Sequence, residues 1–413
     1  MKLSPSILAV ALLAALAAPA AHAEIAIDVI ADSEVSFEGL VQADWNAFDN
    51  DVALLNGDAQ DGRDTDQELR RAEIVLKGKG PGNFEWVVGY DAKADKYLDV
   101  NIKYKIGGNG NHYIQAGQFK QNNSMEELSS TKSNDFISKA LITNTWAVAR
   151  RVGVTGGYGD NNWGVAVGAF DRELTRGLAQ GKGFGGRGYW APINDKGSIL
   201  HIGLSYVSYD AEIGVNNGLN IDNAYRFRTR PGADLAGTRL VDTGNVLNAD
   251  RITTAGAEAF WVGGPVKLQG EFMKTEADRT QSVLPDFSGS GGYVSALWNV
   301  TGETWGYKSG VPTTPLPNEP ESGMWQLGLR YDTIDLDDGG LRAGVTPTSA
   351  PIVDGILGGQ MDTWTAGINW YWRSNFKFMM NYVKVDSSRY ISTARRVVDD
   401  SPNILEARVQ FYW

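Results

Sequence analysis

The chain has no cysteine and only three histidines among its 413 residues. The first absence excludes a disulfide scaffold and thiolate chemistry, and the second leaves too few ligands for a transition-metal site. No glycine-rich phosphate loop followed by Lys-Ser/Thr is present, and nothing marks the chain as a nucleic-acid binder. Beyond the N-terminus, no apolar run reaches the roughly 18 residues that a spanning helix needs. Residues 1–23 read as a secretory signal peptide: MKLSPS, the apolar ILAVALLAALAAP, then AHA before Glu24. That implies export through the Sec pathway and leaves 24–413 as the folded part.

What is plentiful is glycine (49), tryptophan (13) and tyrosine (16), at a formal net charge of -11. An exported, cysteine-free chain rich in glycine and aromatics suggests an outer-membrane β-barrel. The residue pattern agrees. In FEWVVGYD, Phe84, Trp86, Val88 and Tyr90 share one face, against Glu85, Gly89 and Asp91. YLDVNIKYKI sets Leu98, Val100, Ile102, Tyr104 and Ile106 against Asp99, Asn101, Lys103 and Lys105; TWTAGINWYWR and LEARVQFYW repeat the alternation. Period-2 patterning predicts strands with one apolar face. Sixteen such segments begin near residues 34, 68, 83, 97, 111, 150, 162, 184, 199, 254, 265, 290, 323, 362, 375 and 404. An even number suits a closed antiparallel barrel in one domain.

Connections supply a second signal. Links after strands 2, 4, 6, 8, 10 and 14 are short, as expected of periplasmic turns, and most of the others are long. Two depart from the rhythm: the link after strand 3 is short, and TGETWGYKSGVPTTPLPNEPESG after strand 12 is long on the periplasmic side. The terminal VQFYW is the type of ending read by the barrel-assembly machinery.

Strand parity sorts the charges. Arg71 points inward because Ala72, Ile74 and Leu76 set the outer face, and Arg151 does so beside outward Val152 and Val154. Lys103, Lys105, Lys267 and Lys377 project inward at the periplasmic end, with Arg330 and Arg408 as further inward candidates. The loop after strand 5 carries or adjoins Lys120, Lys132 and Lys139. In the loop after strand 9, YRFRTRPG alternates Arg226, Arg228 and Arg230 with Tyr225, Phe227 and Thr229, which puts three guanidiniums on one face. Acidic runs such as DNDVALLNGDAQDGRDTDQE lie in external loops, where divalent cations can bridge them to lipopolysaccharide and other outer-membrane lipids.

ELRRAEI, GQFKQNNSMEELSSTKSNDFISKALITNTWAVARRVGV, YRFRTRPG with the following VDTG, and RVQFYW together resemble the phosphate-selective porins O and P of Gram-negative outer membranes. The resemblance implies a homotrimer of sixteen-stranded, all-β transmembrane barrels with the long third loop folded into each pore. It places Arg70, Arg71, Arg226, Arg228 and Arg230 in an outer vestibule. At the constriction, Lys139 and Arg151 match best, Lys132 competes for the place, and Lys120 joins them; Lys103, Lys105, Lys267 and Lys377 are assigned to the periplasmic side by parity. The implied activity is passive passage of phosphate or polyphosphate, with no cofactor. Guanidinium forks suit phosphate oxygens, and a row of modest sites passes an anion on where one deep site would trap it.

Other readings share this barrel. A general or sugar-type porin would use the aromatic residues as stacking sites. A barrel enzyme would need more than His112 and His201, which start separate strands with no Ser or Asp arrangement nearby. Adhesion or phage reception by the loops would be an added role.

Overall fold

Alternating apolar and polar residues form strands that close into one barrel. The computed structural model describes residues 25–30, 33–57, 64–108, 110–175, 181–211, 213–216, 219–222, 224–280, 285–344 and 351–413. The signal-peptide cleavage site lies outside them. The first eight barrel strands are β1 (Ser33–Asp49), β2 (Thr65–Lys79), β3 (Phe84–Asp91), β4 (Lys96–Lys105), β5 (Tyr113–Lys120), β6 (Arg150–Gly159), β7 (Trp163–Phe170) and β8 (Gly183–Asp195). The rest are β9 (Ser198–Asp210), β10 (Ala249–Gly263), β11 (Val266–Arg279), β12 (Phe287–Asn299), β13 (Met324–Arg342), β14 (Ile352–Trp372), β15 (Phe376–Ile391) and β16 (Asn403–Tyr412).

Each strand pairs antiparallel with the next, and β1 pairs with β16 from Leu40↔Tyr412 to Asp49↔Asn403. Closure leaves no unpaired edge, which lipid demands because it offers backbone groups no partner. The strands begin close to their expected positions, except that β10 and β14 start earlier, at Ala249 and Ile352. The wall is uneven: β13 and β14 run 19 and 21 residues, while β3, β5 and β7 have eight each.

The outer face is apolar as predicted, with Ile74, Val88, Ile102, Val154, Trp364 and Ile368 all exposed. One outward expectation fails. Leu98 points inward because Leu98 and Asp99 together oppose the single residue Gly89, a β-bulge that breaks the alternation. At the seam, the bare Cα of Gly39 lies under the ring of Trp413: a Cβ there would stand 2.1 Å from Cζ2.

The hydrophobic core sits inside the barrel. Loop 3, residues 121–149, turns inward and carries two short helices, α1 (Met125–Leu128) and α2 (Leu141–Trp146). Leu141, Ile142 and Trp146 pack with Phe227, Leu235 and Val241 of loop 5, the link between β9 and β10, against inward Phe287, Ile334 and Val383. Burying a side chain such as Leu141 or Phe227 contributes roughly 1.5–3 kcal/mol.

An irregular chain inside a barrel must still satisfy its backbone. The β13–β16 and β11 wall does this for loop 3. The carbonyls of Lys132, Asp135, Ile137 and Ser138 accept from Gln410 (2.9 Å), Asn369 (2.7 Å), Arg408 (2.9 Å) and Arg330 (3.0 Å), and that of Asn134 accepts from Lys377. At the other end, Glu271 accepts from the amides of Met125 (3.0 Å) and Glu126 (2.7 Å). Loop 3 thus leans on one wall, and the open lumen runs along β1–β8.

The anomalous link after β12 also enters the barrel. Its hairpin, Gly306–Lys308 paired with Val311–Thr313, packs Trp305 against Met125, Ile199 and Phe260. That burial gives a physical reason for a long segment where a short turn was expected.

Candidate functional site

Loop 5 brings YRFRTRPG to the loop end of the barrel. Two short pairings, Ala224–Tyr225 with Val246–Leu247 and Arg228–Thr229 with Val241–Asp242, hold it extended. Its alternation therefore persists: Phe227 and Thr229 are buried, with Phe227 stacked 5.3 Å from Phe287, while Arg226 and Arg228 stay exposed. The apolar face anchors the hairpin and leaves the cationic face to solvent.

The arginines are not bare. Both carboxylate oxygens of Asp242 accept from Arg226, and Arg230 Nε donates to the Ala236 carbonyl at 2.7 Å. Burial would raise Asp242, but the hydrogen bonds from Arg226 and the Gly244 amide outweigh it and hold its carboxyl below the ordinary range. Arg239, which the sequence reading passed over, joins this cluster: burial and the guanidiniums of Arg230 and Arg228 push it down to about 10. A second arginine pair faces inward through a bulge. Gln42 opposes Arg71 and Ala43 opposes Leu69, so Arg70 is the extra residue and strict alternation no longer separates the pair. Arg70 reaches Asp234 of loop 5 at 3.0 Å, and Arg71 reaches Glu73 at 2.9 Å. Burial would raise Asp234, but Arg70 and Arg408 hold it down at about 2.

Below lies a cavity of about 670 Å³ between loop 3, the β12–β13 hairpin and strands β1–β8. Seven cationic side chains line it against four carboxylates. Three were expected in the pathway: Lys103, Lys120 and Lys132. Four were not: Lys77, Arg150, Arg187 and Lys308. Lys103 sits 4.2 Å from the Tyr113 ring. Lys120 Nζ donates to the carbonyls of Glu127 (2.5 Å) and Ser129 (2.9 Å). Glu38 receives Lys77 at 2.6 Å and Lys132 at 3.8 Å, and Arg150 grips Asp99 at 2.8 Å.

The remaining predicted residues fall elsewhere. Lys139 pairs with Glu127 and is not among the residues lining the cavity. Arg151 does point inward but is buried, donating to the Arg150 carbonyl at 2.9 Å; its neighbour Arg150 takes the cavity position. Lys105 pairs with Glu85 at 2.5 Å, beside the cavity. Lys267 and Lys377 are inward, as parity required, yet lie beneath loop 3 at 2% and 0% exposure, on Asp135 (2.6 Å) and the Asn134 carbonyl. Arg330 and Arg408 share that fate, each bound to a wall carboxylate and a loop 3 carbonyl. Parity gave the side of the sheet but not which wall the loop would cover.

The histidines are structural contacts of different kinds. His112 stacks on Tyr158 with centroids 4.2 Å apart. His201 is fully buried, 2.9 Å from the Tyr307 hydroxyl and 3.0 Å from Glu258, and so ties the β12–β13 hairpin to the wall. Arg187 adds a second tie through Glu258 and the Gly310 carbonyl.

Porin O of Pseudomonas aeruginosa is 25% identical over 392 residues, covering 87% of this chain and 84% of that protein. Among solved structures, OmpT of Vibrio cholerae superposes with a TM-score of 0.55 at 11% identity, over 94% of this chain and 99% of its own. The anion-selective porin from Comamonas acidovorans gives 0.54 at 11% identity, over 92% and 100%. Those two likenesses concern the fold. The family model for phosphate-selective porin O and P matches residues 39–413, which takes in every strand from β2 to β16 and both inward loops. A closed sixteen-stranded barrel with charged loops inside it and this match along nearly its whole length make the chain a member of the phosphate-selective porin O and P family, a channel of the Gram-negative outer membrane and not an enzyme.

Proposed function

We propose that the channel is anion-selective and that its permeant is phosphate or polyphosphate. The observation that carries this reading is the cavity wall, where seven cationic side chains face four carboxylates in a confined space. A fixed charge in a low-dielectric wall acts on a passing ion far more strongly than the same charge in bulk water. Arg226, Arg228, Arg230 and Arg239 at the loop end form an outer capture zone on this reading, and Arg70 and Arg71 carry the anion inward. Lys103, Lys120, Lys132 and Arg150 stand along the cavity, with Lys105 and Lys308 toward the turn end. Lys139, Arg151, Lys267 and Lys377 contribute field and loop position more than contact. A homotrimer is the assembly proposed with it, set in outer-membrane lipid and lipopolysaccharide after insertion by the barrel-assembly machinery.

A sugar-type porin is the second reading, favoured by Tyr113, Tyr158 and Tyr189 on the same cavity. Bilayer conductance separates the two. Under a salt gradient the zero-current potential should carry the anion sign, and added phosphate, then pyrophosphate, should block chloride current at decreasing concentrations. A cation-signed potential overturns the proposal; block by maltodextrin but not by phosphate favours the second reading.

A further inference from the structure

Glu127 lies where the cations of loop 3 converge. Its carboxylate accepts from Lys139, stands 3.9 Å from Lys120, and has Arg150 as its next cationic neighbour. Its side chain is only 9% exposed. Two features of the chain fix it there. Ser124 caps α1 by accepting from the Glu127 amide at 3.1 Å, and Lys120 donates to the Glu127 carbonyl. The stretch SMEE has the Ser-x-x-Glu spacing of a capping box, but this Glu side chain turns toward the lysines. Burial alone would raise its carboxyl; Lys139 and Lys120 outweigh burial and hold it down at about 2, so it is ionised throughout the working range.

Lys120 and Arg150 line the cavity, while Glu127 and Lys139 stand just off it, so an anion in the cavity meets this cluster at Lys120. We propose that Glu127 is a specificity-determining residue: a counter-ion tethered by Lys139 off the cavity, which engages the cavity-lining Lys120 at rest and must be outcompeted there by the permeating anion. This rests on the anion-channel reading above. It also gives that reading a source of discrimination. A monovalent ion such as chloride offers the lysines no more charge than Glu127 does, whereas an anion with two or more charges and several oxygens offers more. The tether also limits residence, because Glu127 returns to Lys120 as the anion leaves. Glu38, between Lys77 and Lys132, is a comparable carboxylate on the cavity wall itself.

The test uses the refolded full-length porin in planar bilayers, with inorganic phosphate as the probe. In Glu127→Gln, the phosphate concentration that halves chloride conductance should fall roughly tenfold, since one full charge leaves a confined site. Glu127→Asp keeps the charge but withdraws the carboxylate, and should lower the same concentration by a smaller factor. Heat-modifiable mobility on gels checks that each barrel is intact. Anion-selective wild type with a half-blocking concentration unchanged in Glu127→Gln overturns this inference alone. So does a conductance change equal for cations and anions with unaltered phosphate block, which marks Glu127 as a loop fastener. Cation selectivity in the wild type overturns the anion reading and this inference with it.

Discussion

Arg408 on the last strand donates to the carbonyl of Ile137 in loop 3 at 2.9 Å, while its other nitrogens hold Asp44 of the first strand at 2.6 Å. One guanidinium therefore joins barrel closure to the position of the constricting loop. Its burial makes the arrangement sensitive, because an uncompensated partner would be left in a water-poor site.

Replacing Arg408 with Met should strand Asp44 and free loop 3. The expected loss is about 3–5 kcal/mol, as for breaking one side of a buried pair. A lower temperature for loss of the folded gel band, together with noisier and larger single-channel steps, would register it. Unchanged melting would mean that other donors hold the loop alone.

Gly39→Val tests the seam. A Cβ at position 39 would meet the Trp413 ring at 2.1 Å, so the ring must leave its place against β1. Overpacking of this kind costs about 1–3 kcal/mol. Folding yield in detergent should drop and recover in part when Trp413→Phe is added; equal yields for all three proteins would contradict the packing argument.

The Arg70–Asp234 pair predicts a pH response of loop 5. The Asp234 carboxyl is held at about 2, below its ordinary value of 3.8. A depressed carboxyl contributes stability that is present above the ordinary value and is lost as pH falls through the folded one. The loop anchor should therefore be constant from neutral pH down to about 4 and fail between about 4 and 2. Pepsin cleavage within loop 5 should begin only in that window, whereas Asp234→Asn should be cut across it.

Changing Arg226, Arg228 and Arg230 together to Ala should lower small-anion conductance about twofold or more near 0.1 M salt, and much less near 1 M, where screening shortens to about 3 Å. Equal conductance at both ionic strengths would assign these arginines to surface binding instead of capture.

Much of the barrel was legible because its signals are local. Alternation in FEWVVGYD or TWTAGINWYWR needs only neighbouring residues to be read, and lipid outside with water inside permits one answer to it. The same locality carried YRFRTRPG from sequence to structure with its two faces intact. Bulges were not visible in this way. The extra residues at Arg70 and at Leu98–Asp99 depend on what the partner strand offers, so parity misplaced Leu98 and would have parted Arg70 from Arg71.

The sequence by itself determined that this is an exported sixteen-stranded barrel, which residues face inward away from the bulges, and that loop 3, loop 5 and the link after β12 are out of the ordinary. Only the tertiary structure decided which inward cations meet water. Lys267, Lys377, Arg330 and Arg408 face the lumen by alternation, yet they serve loop 3, because a buried loop must take its hydrogen bonds from the wall it touches. Lys77, Arg150 and Lys308 line the open side because loop 3 leans away from them, while Arg187 on the same wall is buried in its tie to Glu258 and the Gly310 carbonyl. That choice of wall is made by contacts more than a hundred residues apart, such as Arg408 with Ile137, and no local pattern encodes it.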